Sequence, residues 1–203
     1  MDLKEKIDPK HTALLVIDVQ KDFADPKGVR AMRGGDLSQV DPMVDKLEKL
    51  IPIAQRAGVL VLYTQQIYNR DKLNELQKEQ YDLDNRLIMC DPKTGGHEFY
   101  RIKPPIEDVF EKHTFDAFSN PELRERLQVR GTKTLVITGM DTYHCVESAI
   151  RNGYDLGYKI LVPEDVVAGN AKHIDMHNKT LDLVRKTFGV VTNFEELKTI
   201  WEE

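Results

Sequence analysis

Residues 134–162 have the sequence TLVITGMDTYHCVESAIRNGYDLGYKILV, and the order of its apolar runs and turns indicates the fold class. It begins with a short apolar run at 134–138 and ends with another at 159–162, and both are typical of strands buried on two faces. Between them a turn containing glycine leads into a helical segment that begins near Tyr143 and ends near Gly157. A strand, a helix and a strand in this order predict two parallel strands joined by a crossover helix.

The rest of the chain repeats this alternation of strands and helices. Apolar runs at 13–17 and 59–63 predict two more buried strands, and apolar residues at helical spacing predict a helix that ends at Gly58. The remaining predicted elements are a short strand at 109–115, helices at 121–130, 172–187 and 194–202, and a brief strand at 190–191. This order predicts an α/β fold: a three-layer, doubly wound, six-stranded and mostly parallel sheet with helices on both faces.

We expect a single domain over residues 1–203, with a loop or lid at about 65–108. This segment is polar and irregular, with one short helix near 72–80, and a segment of this length is usually a lid, a binding loop or an interface element. It contains Arg70, Arg86 and Arg101, which have the charge to bind a substrate carboxylate. Surface charges are the simpler interpretation of all three.

Composition narrows the class of protein. Forty per cent of the 203 residues are hydrophobic, which is enough for a core, and the formal net charge of -5 disfavours a nucleic-acid partner. No apolar run approaches the ~18 residues that cross a bilayer, and the first residues lack the apolar core of a signal peptide. We therefore expect a cytoplasmic protein without membrane contacts, in which Cys90 and Cys145 are both free thiols.

Three residues carry candidate chemistry. Cys145 lies in the first turn of a predicted helix, where the helix dipole should lower the thiol pKa, although many free cysteines are simply small buried hydrophobes. Asp18 ends a buried strand, so its carboxylate must be paired or hydrogen-bonded. Lys112 lies in an apolar strand and either partners a buried carboxylate or faces solvent. Asp22 and Asp25 are interpreted as solvated loop residues.

Three segments in order resemble the isochorismatase-like cysteine hydrolase family. They are LLVIDVQKDF at 14–23, the pair Glu111-Lys112 followed by Thr114-Phe115 and Ala117-Phe118, and VITGMDTYHCVESAIRNGYDLGYKILVPEDVVAG at 136–169. The resemblance spans residues 12–192. It implies a catalytic triad of Asp18, Lys112 and Cys145, and an oxyanion hole formed by the backbone N–H groups of Asp141 and Cys145. It also implies a cis peptide bond between Met140 and Asp141, and a homodimer or homotetramer.

Departures from the family pattern suggest the reaction. Members that cleave isochorismate tend to lack the cysteine, so Cys145 favours hydrolysis of a small amide, ureido or carbamoyl compound through a thioester. The nicotinamidase branch carries an Asp-x-His metal motif after its second strand, whereas residues 64–68 here are TQQIY. We therefore expect no catalytic metal and no cofactor.

A set of aromatic and imidazole side chains near these motifs is predicted to contact the substrate: Phe23, Tyr68, Phe118, Tyr143 and His144. Tyr143 and His144 stand where the family commonly has smaller residues, so the substrate itself is not predicted. His173 and His177 have a spacing that can bind a metal, but the sequence offers no third ligand.

Other interpretations remain open. The first alternative is a papain-like pair of Cys145 with a histidine, and the discriminating observation is which side chain lies beside the thiol. The chain would also fit a catalytically silent interaction module of the same fold. Within the family, the substrate is alternatively a nicotinamide-like or isochorismate-like ring.

Overall fold

The computed structural model of the chain describes residues 3–84 and 88–203, with the backbone alone for 81–84. Arg86 therefore lies outside the described residues. The strands are β1 (Thr12–Ile17), β2 (Leu60–Gln66), β3 (Val109–Lys112), β4 (Thr134–Met140), β5 (Lys159–Pro163), β6 (Val167–Ala168) and β7 (Gly189–Thr192). The helices are α1 (Leu3–Lys6), α2 (Lys21–Ala24), α3 (Val29–Met32), α4 (Val40–Ala57), α5 (Glu75–Asp84), α6 (Pro121–Arg130), α7 (Glu147–Asp155), α8 (Ile174–Leu183) and α9 (Phe194–Glu202).

The strands form one sheet in the order β3-β2-β1-β4-β5-β7, and every pairing in it is parallel. The predicted six-stranded parallel sheet is confirmed. A seventh strand, β6, which the sequence analysis did not predict, pairs with the end of β4. The predicted strand at 109–115 is too long, since β3 ends at Lys112.

Apolar side chains pack on both faces of the sheet because successive residues of a strand point in opposite directions. Leu14 and Val16 of β1 belong to a core that includes residues of α4 and α9. Leu15 and Ile17 belong to a second core with residues of α6, α7 and α8. Helices therefore cover both faces, as predicted. Among the described residues, no helix is long and apolar enough to cross a membrane.

The parallel arrangement decides where the chemistry can occur. Strands β1, β3 and β4 end at Ile17, Lys112 and Met140, so the residues that follow or end them meet at one edge of the sheet. Gly139 allows this close approach: its φ is +102°, and a Cβ there would lie 2.1 Å from the carbonyl oxygen of Ile17.

Candidate active site

Asp18, Lys112 and Cys145 lie together at this edge of the sheet. Lys112 Nζ is 2.7 Å from Asp18 Oδ2 and donates a hydrogen bond to Cys145 Sγ over 3.4 Å. The side chains of Asp18 and Lys112 are both fully buried, and Cys145 is 6% exposed. The sequence placed these residues at strand ends far apart in the chain, and the structure brings them into one cluster.

Lys112 has no hydrogen left to offer a ligand. Besides Asp18 and Cys145, its ammonium donates to Gln66 Oε1 at 3.0 Å and to the carbonyl oxygen of Thr114 at 2.9 Å. An ammonium has three donors, and four acceptors already surround this one. Lys112 therefore fixes the positions of the carboxylate and the sulfur and does not reach into the cavity.

The carboxylate of Asp18 is held from its second side by Thr64. The Thr64 hydroxyl donates to Asp18 Oδ1 at 2.7 Å and accepts the Asp18 backbone N–H at 3.3 Å. Asp18 has a φ of +47°, a conformation that aspartate tolerates better than most residues. Its side chain is therefore aimed at the Lys112–Cys145 pair by both backbone and hydrogen bonds.

The protonation of the cluster follows from its burial. Burial raises the pKa of the Cys145 thiol well above its usual value, the adjacent Asp18 carboxylate raises it further, and Lys112 offsets only part of this. Burial alone would lower the pKa of Lys112, but Asp18 and Cys145 raise it above its usual value. The predicted lowering of the Cys145 pKa is therefore wrong: the resting site holds a neutral thiol beside an Asp–Lys ion pair.

The turn that carries Cys145 is a π-helical turn, Thr142–Val146, and α7 begins only at Glu147. The peptide bond between Met140 and Asp141 is cis, as the resemblance implied. The carbonyl oxygen of Asp141 accepts the backbone N–H groups of His144 at 3.0 Å and Val146 at 3.1 Å. Thr142 Oγ1 and His177 Nδ1 form a hydrogen bond of 2.9 Å, which ties the turn to α8.

A cavity of about 340 Å³ opens onto Cys145. It is mostly polar and aromatic, and the described residues that line it are Phe23, Arg30, Gln66, Tyr68, Leu73, Gln77, Met89, His113, Thr114, Phe115, Asp141, His144 and Cys145. Several of them come from the 65–108 segment, which therefore borders the cavity. Whether that segment acts as a lid or as a subunit interface stays a prediction.

Two of the five predicted contact residues do not line the cavity. Phe118 is 4% exposed within the hydrophobic core, with its ring stacked 6.2 Å from that of Tyr158. Tyr143 points the other way along its turn: its hydroxyl accepts the backbone N–H of Asn170, and its ring lies against Gly169. Neighbouring residues of a helical turn diverge by about 100°, so His144 reaches the cavity and Tyr143 cannot.

Asp22 is buried, contrary to its interpretation as a solvated loop residue. It is 5% exposed, and its two oxygens accept the backbone N–H groups of Val29 at 3.2 Å and Cys90 at 2.7 Å. A Cβ at Gly96 would overlap this carboxylate. Asp22 thereby joins two loops that line the cavity. The sequence feature that could have indicated this burial is the position of Asp22 within the segment LLVIDVQKDF at 14–23.

The arginines and histidines singled out in the sequence lie elsewhere or have other partners. Arg101 is surrounded by Asp41, Asp45 and Glu48 on the surface, and Arg70 does not line the cavity. His173 is exposed, and His177 is the partner of Thr142. Within residues 3–84 and 88–203, no three His, Cys, Asp or Glu side chains are grouped as metal ligands. The thiol contacts Asp18 and Lys112 and not an imidazole, which disfavours a papain-like pair.

Comparison with known proteins identifies the family. The model of the isochorismatase domain matches residues 12–196. The chain belongs to the isochorismatase family. Ureidoacrylate amidohydrolase RutB of Acinetobacter baylyi is 29% identical over 91% of this chain and 81% of its own length.

Two solved structures have the same fold. A cysteine hydrolase from Pseudomonas syringae pv. phaseolicola superposes with a TM-score of 0.81 at 26% identity, over 97% of this chain and 95% of that one. Nicotinamidase PncA from Bacillus subtilis superposes at 0.74 with 21% identity, over 90% and 99% of the two chains, and shares the fold. This chain is accordingly a hydrolase of the isochorismatase family.

The two thiols should differ in reactivity. Burial raises the pKa of both thiols, so the difference lies in access: Cys145 borders the cavity with the Asp18 carboxylate beside it, whereas Cys90 is 0% exposed. We expect iodoacetamide at neutral pH to label Cys145 first, as measured by peptide mass spectrometry over time. Equal labelling of both thiols in the folded protein would contradict an activated Cys145.

Proposed function

We propose that this protein is a cysteine amidohydrolase that cleaves a C–N bond of a small amide, ureido or carbamoyl compound through a thioester. The observation that carries the proposal is the shared contact of Lys112 Nζ with Asp18 and with Cys145, which borders the cavity. A carboxylate, an ammonium and a thiol held within hydrogen-bonding reach supply a base, a fixed positive charge and a nucleophile.

In the first half-reaction Asp18 accepts the thiol proton as Cys145 Sγ attacks the carbonyl carbon. The Cys145 pKa is raised, so the proton leaves only when the sulfur begins to bond, and Lys112 stabilises the charge that develops on the sulfur. We assign the oxyanion to the backbone N–H groups of Asp141 and Cys145. Asp18 then gives its proton to the leaving nitrogen, the C–N bond breaks, and a thioester remains.

In the second half-reaction water attacks the thioester carbonyl. Asp18 accepts a proton from that water, the C–S bond breaks, and the proton returns to Cys145. Asp18 alternates between base and acid, while Lys112 starts the cycle as a cation, since Asp18 and Cys145 raise its pKa in the resting site. The cycle consumes one water and releases an amine or ammonia and an acid.

The metal of the nicotinamidase branch does not fit this chain. Residues 64–68, TQQIY, contain neither the aspartate nor the histidine of the Asp-x-His motif, and Oε1 of Gln66 is already bound by Lys112. Because Lys112 only donates, it fixes the Gln66 amide with its NH₂ group on the far side from the ammonium. Gln66 therefore offers the cavity a donor for a substrate oxygen in place of a metal ligand.

A screen of amides, ureas and carbamoyl compounds for ammonia release tests the proposal. We expect turnover of at least one compound by the wild-type protein, loss of nearly all of it in Cys145→Ser, and no change in the wild-type rate after chelator treatment. Turnover that survives Cys145→Ser, or that chelation abolishes, would rule out the mechanism. A complete absence of turnover would favour a catalytically silent module.

A further inference from the structure

The cavity wall beside Cys145 contains a buried ion pair that the proposed mechanism does not use. Nη1 and Nη2 of Arg30 donate to the two carboxylate oxygens of Asp141, 111 positions later in the chain. These side chains are 11% and 10% exposed, and both line the cavity. A nearly enclosed pair of this kind is held in one geometry, because breaking it would leave a buried charge uncompensated.

The guanidinium of Arg30 is fixed before any ligand arrives. Asp141 holds its terminal nitrogens, and its Cζ lies 5.3 Å from the centre of the Phe23 ring, within the range of a cation–π contact. Burial alone would lower the pKa of Arg30, but Asp141 raises it above its usual value. The group is therefore a permanent, pre-oriented cation on the cavity wall.

One edge of this guanidinium remains available. Arginine has five N–H donors, arranged so that its planar group can bind carboxylates along two different edges. Asp141 takes the edge formed by Nη1 and Nη2, which leaves Nε–H and the outer Nη hydrogens. Among the described residues, Asp141 is the one acceptor to which the guanidinium of Arg30 donates. A second planar anion can therefore bind beside the first through parallel hydrogen bonds.

The other charges near the cavity do not compete for such an anion. Lys112 is saturated by its four acceptors and balanced by Asp18, and Arg30 balances Asp141. His144 Nδ1 lies 3.5 Å from Asp141 Oδ2 and therefore contacts the carboxylate that also binds Arg30. Of the described residues that line the cavity, Arg30 is the single lysine or arginine. Arg30 is therefore the residue whose N–H donors can bind an anionic group of a ligand.

We propose that Arg30 is a specificity-determining residue that binds a carboxylate of the substrate, with Asp141 as the positioning residue that holds it. The substrate class is then an amido or ureido acid, small enough for a cavity of about 340 Å³ to hold its carboxylate and its scissile carbonyl together. This inference rests on the proposed function, since it places the carboxylate relative to the nucleophile Cys145.

Matched alkylating agents test this assignment without requiring turnover. The probes are iodoacetate and iodoacetamide, with 3-bromopropionate and 3-bromopropionamide as a longer pair. In each reaction Cys145 Sγ forms a bond to the halogen-bearing carbon, the halide leaves, and the thiol proton passes to Asp18 or solvent. The measured quantity is the acid-to-amide rate ratio at Cys145, divided by the same ratio for glutathione.

We expect at least one probe pair to give a corrected ratio of about ten to a hundred in the wild-type protein, the size expected of a charged hydrogen-bonded pair. Arg30→Gln should bring that ratio close to one. Arg33→Gln, the same change at an exposed arginine three positions later, should leave it at the wild-type value. A wild-type ratio near one for both pairs, or a high ratio that survives Arg30→Gln, would overturn the proposal.

A double variant keeps the test valid if Arg30→Gln unfolds, since that change leaves Asp141 buried without its partner. Arg30→Gln combined with Asp141→Asn removes both charges with little change of shape, and thermal unfolding checks its fold. It should lose the preference for the acid, and a retained preference would contradict the assignment. Labelling that prefers acids without turnover of any amide would refute the proposed function and leave Arg30 as the carboxylate site.

Discussion

Asp18→Asn should lower kcat by about 10²–10⁴-fold on any amide that the wild-type protein cleaves, the usual cost of losing a general base. Asparagine has nearly the shape of aspartate, and its carbonyl oxygen can still accept the hydrogen bond from Thr64. It cannot accept the thiol proton. Since the Cys145 thiol is neutral at rest, the sulfur then attacks without a base beside it.

The control for this variant is Asp25→Asn, the same chemical change in the same segment. Asp25 is outside the cluster and accepts a hydrogen bond from the backbone N–H of Lys27. We expect its kcat to match the wild-type value. The measurements are steady-state ammonia release and circular dichroism of each variant.

The three residues should act as one unit, so their effects should not add. Cys145→Ser and Lys112→Met should each remove nearly all turnover. Adding Asp18→Asn to Cys145→Ser should lower the rate scarcely further, because the base has no thiol left to serve. Near-normal kcat in Asp18→Asn, or a double variant slower by the product of both effects, would show that Asp18 is not the base.

The sheet and the position of the cluster could be predicted because both depend on local patterns. Short apolar runs alternating with amphipathic helices leave few arrangements other than a parallel sheet, and Asp18 immediately follows one such run. Strand β6 escaped prediction because its two residues, Val167 and Ala168, are too few to form a pattern. It is defined by its pairing with β4, which only the folded chain shows.

Side-chain directions near the nucleophile could not be predicted in the same way. Sequence distance placed Tyr143 and Phe118 near the motifs, but the turn geometry sends Tyr143 toward Asn170, and packing buries Phe118 in the core. The prediction of a lowered Cys145 pKa was wrong for a related reason. It considered only the helix terminus and omitted burial and the charge of Asp18, which both raise the pKa.

Contacts between segments that are far apart in the chain could not be predicted from the sequence either. Arg30 and Asp141 are 111 positions apart, and neither lies in a pattern that indicates a partner. The compartment, the homodimer or homotetramer, and the role of residues 65–108 as a lid all stay predictions, because they depend on surfaces and motions beyond one folded chain.

Lys112→Met should lower the free energy of unfolding by about 3–5 kcal/mol, the usual cost of removing one partner from a buried ion pair. The ammonium and the Asp18 carboxylate are both fully buried and 2.7 Å apart. Methionine fills much of the same volume but leaves Asp18 with a charge that neither water nor a cation compensates. Urea denaturation gives the free energy, and the slope of the transition checks that the unfolded state is unchanged.

Two further variants distinguish the cost of breaking the buried Asp18–Lys112 ion pair from the cost of replacing a lysine by methionine. Lys179→Met removes an exposed lysine 3.6 Å from Asp175 and should cost less than about 1 kcal/mol, as exposed pairs usually do. Asp18→Asn combined with Lys112→Met removes both buried charges and should recover much of the stability lost in Lys112→Met. It should not recover turnover, because the base is missing. If the double variant were no more stable than Lys112→Met, the hydrogen bonds of Lys112 to Gln66 and Thr114 would be its main contribution to the fold, and Asp18 would tolerate burial through Thr64 alone.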